Sequence, residues 1–224
     1  MKNISFISFS PFTSDPELTA QLVDCYREVF ADNPWNEWLK CSVCQKYWGL
    51  KDRGFLASIK FCHCGQPLVD FWPRTEVISD LYHEIVPESS CWLALDDKKV
   101  VGFCWGYPIL AGVLEDKLGI VFCDSLNIPR DGLIAYQDEI GVLMPYRNQH
   151  NAKAMFLNRQ EDFLEQRLRF FIVRTRRYPE SSATFLWYTQ KLGYKILAAY
   201  PEEDGRVILG MDVFTVPLGN ASSS

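Results

Sequence analysis

Apolar and polar residues interleave over residues 3–9, Asn-Ile-Ser-Phe-Ile-Ser-Phe, and fit a first strand. Ser14-Asp15-Pro16-Glu17 then opens a helix. Ser14 can cap it, Pro16 is tolerated in the first turn, and Glu17 completes a capping-box spacing. Leu18, Leu22, Cys25, Tyr26, Val29 and Phe30 recur at helical spacing, and the helix stops before Asn33-Pro34. Between Trp38 and Pro73 the periodicity fades, and aromatic residues and cysteines take its place. A second amphipathic helix follows, with Val77, Ile78, Leu81, Tyr82 and Ile85 on one side and Pro87 ending it.

Cys91–Leu95 and Lys99–Gly106 read as a hairpin turning at Asp96-Asp97-Lys98. Residues 108–132 show no clear period and are expected to be irregular. A strand around Leu133–Leu143 leads through the turn-like Pro145-Tyr146-Arg147-Asn148-Gln149 into a helix reaching about Arg167. Phe170–Arg174 is a strand, Glu180–Leu192 a helix stopped by Gly193, and Tyr194–Tyr200 and Val207–Thr215 are strands joined at Asp204-Gly205. The pattern predicts a mixed α/β domain built around a mostly antiparallel sheet.

Composition narrows the class. The 224 residues suit one full domain with an insertion, and 48% hydrophobic with 23% charged residues is the mix of an ordinary globule. The net charge of −5 argues against a dedicated nucleic-acid binder. No apolar run approaches the ~20 residues of a membrane span, and the start lacks the long apolar core of a secretion signal. A cytoplasmic protein with neither nucleic-acid nor membrane partners is expected.

Cys25, Cys91, Cys104 and Cys123 are scattered among apolar neighbours, as buried free cysteines are. The other four are grouped. Cys41-Ser42-Val43-Cys44 is followed after 17 residues by Cys62-His63-Cys64-Gly65. Zn²⁺ favours four tetrahedral thiolates, and two turns carrying a Cys pair each supply them from a short segment. The spacing predicts one structural zinc held by Cys41, Cys44, Cys62 and Cys64, with reduced packing cysteines or a disulfide as the alternatives. A metal would let residues 40–72, too few to bury a core, fold as a zinc-ribbon-like insertion.

Two segments resemble the GCN5-related N-acetyltransferase (GNAT) family. Ile140-Gly141-Val142-Leu143-Met144-Pro145-Tyr146-Arg147-Asn148-Gln149-His150-Asn151-Ala152 is similar to its strand-four signature, Val-x-Pro-x-Tyr followed by Arg/Gln-x-x-Gly-x-Gly/Ala. Ala183–Tyr194 is similar to its closing helix, which ends in Tyr-x-x-Leu-Gly-Phe. The resemblance implies a GNAT domain over residues 1–39 and 73–219, interrupted by the insertion at 40–72 and followed by a disordered tail at 220–224. It further implies acetyl-CoA as co-substrate and an amine, in a small molecule or a peptide, as acceptor. The insertion would border the acceptor side, where it could recruit a protein. A non-catalytic acyl-CoA-binding or zinc-dependent interaction protein that keeps the fold is the alternative.

The resemblance places coenzyme A on Val142, Leu143, Arg147, Asn148, Gln149, His150, Asn151 and Ala152. A helix N-terminus offers free N–H groups and partial positive charge to a pyrophosphate. The resemblance also suggests a backbone N–H near Val142–Leu143 for the thioester carbonyl. Seven of the twelve arginines fall between Arg147 and Arg177, either as a basic surface for the nucleotide end or as a solvated face. His150 stands where the motif has its first glycine. The Tyr that protonates the thiolate in many members is displaced, since Thr189 holds its position and Tyr188 comes one residue early. Asp138 and Glu139 are adjacent on the strand and point to opposite faces, so one of them can act as base, with a slight preference for Glu139.

Overall fold

The computed structural model describes residues 3–56, 61–177, 182–201 and 204–214. The strands are β1 (Ile4–Ser8), β2 (Leu39–Cys41), β3 (Tyr47–Trp48), β4 (Leu68–Asp70), β5 (Ser90–Asp96), β6 (Lys99–Leu110), β7 (Leu133–Val142), β8 (Phe170–Arg176), β9 (Lys195–Ala199) and β10 (Arg206–Asp212). The helices are α1 (Pro16–Ala31), α2 (Arg53–Leu56), α3 (Arg74–Glu84), α4 (Ala111–Leu118), α5 (Asn151–Glu165) and α6 (Ala183–Leu186), the last continuing as a π-helical turn over Trp187–Lys191. Seven strands form one sheet in the order β1-β5-β6-β7-β8-β10-β9, and β3-β2-β4 form a second. In the larger sheet β7 and β8 are parallel, while β1–β5, β8–β10 and β9–β10 are antiparallel.

The chain divides into two compact units, Met1–Trp105 with Glu139–Arg159, and Gly106–Asp138 with Gln160–Ser224. In the first unit α1 and α3 cover β5 and the start of β6. Tyr26, Phe30, Phe103 and Trp105 stack there with ring centroids 4.5–6.5 Å apart. Buried Arg159 donates from Nη1 to the carbonyls of Trp105 (2.7 Å) and Glu139 (3.0 Å). The cap of α1 is Asp15 rather than Ser14. The Asp15 carboxylate accepts from Glu17 N at 2.9 Å, whereas the Ser14 hydroxyl turns back to accept from Ser10 N.

In the second unit Tyr107, Leu114, Phe122, Ile134, Tyr136, Ile172 and Ile208 form the core. Residues 108–132, expected to be irregular, carry α4 and a 3₁₀ turn over Cys123–Leu126. The ordering agent is buried Glu115. Its Oε1 accepts from Phe122 N (2.7 Å) and Cys123 N (2.8 Å), and its Oε2 pairs with Arg130. Burial opposes its charge, but the two N–H groups and Arg130 hold the carboxyl below the usual Glu range. Glu115→Ala should therefore cost about 2–4 kcal/mol in urea unfolding at neutral pH, because two buried donors lose their acceptor. A depressed carboxylate stabilises above its unfolded pKa and stops doing so as pH falls through its folded one. The gap between variant and parent should thus close in acid.

Candidate functional site

At its C-terminal end β7 runs into α5 through a loop tied to backbone oxygens. Arg147 donates from Nε to Val142 O (2.9 Å) and from Nη1 to Asn33 O (3.0 Å), and lies 3.8 Å from the Asp32 carboxylate. Gln149 Nε2 reaches Pro145 O at 3.0 Å, and buried Asn151 Nδ2 reaches Tyr146 O at 2.9 Å. The Tyr146 hydroxyl in turn donates to Asp96 at 2.7 Å. Asn151 is thus buried and Arg147 half-buried, while the exposed Gln149 folds back on its own loop. Asn148 (φ 59°) and His150 (φ 64°) both adopt the left-handed conformation. His150 thus supplies the backbone shape for which glycine is the usual choice, and its side chain is exposed. Ala152 lies in the first turn of α5, whose leading N–H groups have no intrahelical acceptor.

Of the two residues expected to offer an N–H to a carbonyl, Leu143 is committed. Its N–H donates to Val101 O at 3.0 Å. The arginine run is not one surface: Arg159 is buried, Arg169 is paired with Asp212 at 2.6 Å, and Arg147 anchors the loop.

In the second unit β7 and β8 pair at Ala135–Phe171 and Tyr136–Ile172. Beyond this point consecutive side chains of β7 reach different groups. Gln137 donates from Nε2 to the Tyr194 hydroxyl. Asp138 Oδ2 accepts from the Tyr107 hydroxyl at 3.0 Å, and the oxygen of Tyr107 accepts from Lys117 Nζ at 2.7 Å. Asp138 therefore ends a three-residue chain, Lys117–Tyr107–Asp138. Glu139, in the first unit, is half-buried. Gly106 allows the close approach of β6 that this needs, since a Cβ there would run into the carbonyl oxygen of Tyr136.

No protein-family model and no curated protein matches the chain. Solved structures do. The chain is 11% identical to the PaiA N-acetyltransferase from Thermoplasma acidophilum in complex with coenzyme A, with a TM-score of 0.54 over 94% of this chain and 99% of that one. It is 10% identical to a putative acetyltransferase of the GNAT family from Desulfovibrio desulfuricans, with a TM-score of 0.54 and the same coverage. Aminoglycoside 6'-acetyltransferase type Ii is 14% identical, with a TM-score of 0.54 over 95% of this chain and 99% of that one. The fold is that of the GNAT acetyltransferases.

On this GNAT fold the closing helix has a distinctive feature. Its π turn, in which Leu192 N donates to Trp187 O at 3.2 Å, takes up one residue more than an α turn. Both Tyr188 and Thr189 lie within this turn. Tyr188 is fully buried, with its ring 4.8 Å from that of Tyr194. The Thr189 hydroxyl donates to Phe185 O at 2.8 Å. The sequence gives no sign of the π turn.

The four clustered cysteines converge in the small sheet. Their Sγ atoms lie within 4.8 Å of one another, with Cys41–Cys64 at 3.5 Å and Cys44–Cys62 at 3.4 Å. These separations exclude disulfides, and all four cysteines are free. They approach the S···S edge of about 3.8 Å that four thiolates at ~2.3 Å from one Zn²⁺ would have. The two turns are alike. Cys41 N donates to Lys46 O and Gln45 N to Cys41 O, with Gln45 at φ 58°. Cys62 N donates to Gln66 O and Gly65 N to Cys62 O, with Gly65 at φ 82°. The Cys41 thiol is lowered to about 6, first by the N–H of Cys44 and then by that of Val43 and its neighbouring thiols. For Cys62 the N–H of Cys64 works downward, but burial and the three other thiols push it up to about 12. Backbone N–H groups thus favour the thiolate form of Cys41, with three other sulfurs close by. His63 Nδ1 lies 3.3 Å from Cys62 Sγ, beside the quartet.

Proposed function

We propose that the protein is an N-acetyltransferase that moves an acetyl group from acetyl-CoA to an amine. The observation that carries this reading is the junction at residues 142–152, where Arg147, Gln149 and Asn151 tie the loop to backbone oxygens and two left-handed residues precede a fifteen-residue helix. That arrangement suits a pyrophosphate. The PaiA structure of like fold is a complex with coenzyme A.

In the proposed reaction the neutral amine attacks the thioester carbonyl and forms the new C–N bond, the C–S bond breaks, and coenzyme A leaves as thiolate. The Val142 N–H meets the carbonyl oxygen as negative charge develops there. Asp138 takes the proton from the amine, and Tyr188 gives one to the thiolate. Asp138 is preferred to Glu139 because the Tyr107 hydroxyl orients it, and Tyr188 to Thr189 because the Thr189 hydroxyl is spent on its own helix. Cys41, Cys44, Cys62 and Cys64 hold one structural zinc. Such a site has four protein ligands and no open position, so it takes no part in the chemistry.

The test is release of free thiol from acetyl-CoA in the presence of an amine library. Turnover with at least one amine is expected, whereas binding of coenzyme A without turnover would favour a non-catalytic binding protein. Arg147→Glu should weaken coenzyme A by about 1–3 kcal/mol in calorimetry, since it removes the loop's anchor and adds a negative charge beside the phosphates. Unchanged affinity would move the pyrophosphate elsewhere.

A further inference from the structure

Three arginines in the second unit stand on one face of the sheet. In the antiparallel pair β8–β10, Arg176 lies opposite Arg206 and Arg174 opposite Ile208. Side chains alternate along a strand, so Arg174, Arg176 and Arg206 share the face on which Ile172 and Ile208 are buried. Like charges directly opposite on neighbouring strands destabilise a sheet. One carboxylate relieves them in part. Asp204 takes Arg206 through both its oxygens, Oδ1 lying 2.6 Å from Nε, and the guanidinium of Arg206 covers the Tyr200 ring at 5.1 Å. Among the described residues Arg174 and Arg176 make no ion pair, and the buried Nε of Arg176 has no hydrogen-bond partner. All three arginines are half-buried, and a buried donor left unmade is costly.

The same face carries Asp138. From the β7–β8 pair Tyr136–Ile172, the next residues on that face are Asp138 on β7 and Arg174 on β8. Arg176 lies about 7 Å farther along its strand. We propose that these arginines receive an anionic group, a carboxylate or a phosphate, carried by the acceptor, so that the substrate is a small amine bearing negative charge. The amine end is directed to Asp138 and the anionic end to Arg174 and Arg176. This inference rests on the acetyl-transfer reading for the identity of the ligand, but not for the existence of an anion site.

The same chemistry could be met by the phosphates of coenzyme A, and the experiment separates the two sources. The full chain saturated with coenzyme A is titrated with inorganic phosphate, alongside the R174Q/R176Q and R174K/R176K variants. Phosphate should bind the parent protein and bind R174Q/R176Q about tenfold more weakly or less, with coenzyme A affinity unchanged. R174K/R176K, which keeps both charges, should retain part of the phosphate binding. Absence of phosphate binding to the parent, or equal binding to R174Q/R176Q, would overturn the proposal. So would a loss of coenzyme A affinity in that variant, which would assign the arginines to the cofactor. In acetylation, phosphoethanolamine should outperform ethanolamine by about tenfold or more in kcat/KM, and the preference should vanish in R174Q/R176Q. Equal use of both amines would refute an anionic acceptor. If phosphate binding responds to the variants but no amine is acetylated, the acetyl-transfer reading fails while the anion site stands.

Discussion

Cys41→Ser is expected to empty the zinc site and unfold the β3-β2-β4 sheet while leaving the seven-stranded sheet intact. Structural zinc is worth on the order of 10 kcal/mol or more in finger-like peptides, far beyond what this segment supplies itself. Cys41, Leu56 and Cys62 are the buried hydrophobic residues described within 40–72. Its attachment to α1 is one aromatic ring and a few polar contacts: Trp72 packs edge-on against Tyr26 at 5.8 Å and Phe30 at 6.3 Å. Arg27 reaches Asp70 at 2.6 Å and Trp72 O at 2.8 Å, and Trp72 Nε1 reaches Glu37 at 2.9 Å. The core under α1 and α3 is built from Leu22, Val29, Leu81, Leu93 and Phe103, none of them in the cysteine segment. Amides of β2, β3 and β4 should lose hydrogen-exchange protection in the variant, and those of β5 and β6 should keep it. Elemental analysis of protein purified without added metal should give one zinc per chain. A content well below one, with all four thiols freely titratable, would remove the metal from the account.

Asp138→Asn is expected to slow turnover about 10²- to 10⁴-fold, the range over which a positioned general base contributes. The carboxamide keeps the shape and the bond from Tyr107 but cannot take a proton, so stability should change little. Tyr107→Phe leaves the carboxylate in place and removes its orienting hydroxyl, which also accepts from Lys117. A smaller loss, about tenfold and in kcat rather than KM, is expected. Glu139→Gln should leave the rate near that of the parent. Single-turnover measurement on a true acceptor decides the matter. If Asp138→Asn is fully active, the proton leaves by another route.

The mixed fold was legible because its elements are long and regularly patterned. The apolar face of Leu22, Cys25, Tyr26 and Val29 and the hairpin around Asp97 are local signals, and both are found in the structure. The sulfur quartet was legible for a different reason. Cysteine pairs on two turns encode the approach of four sulfurs almost without reference to the rest of the chain.

What escaped the sequence depends on partners distant in the chain. Helix α4 has eight residues, too few to declare a period, and Glu115 orders the residues after it through backbone groups that no pattern reveals. A charge count treats arginines alike. Packing buries Arg159 under two carbonyls, ties Arg147 to Asn33, and leaves Arg174 and Arg176 facing one another's neighbours on a half-buried face. The hydrogen bond that orients Asp138 likewise comes from Tyr107, a residue 31 positions away. By itself the sequence determined the order of the elements outside residues 40–72 and 108–132, the strand-to-helix junction at 142–152 and the sulfur quartet, because each is written in neighbouring residues. Only the tertiary structure decided which polar groups are spent on the fold and which remain for a ligand, because hydrogen-bond satisfaction is a property of the folded surroundings.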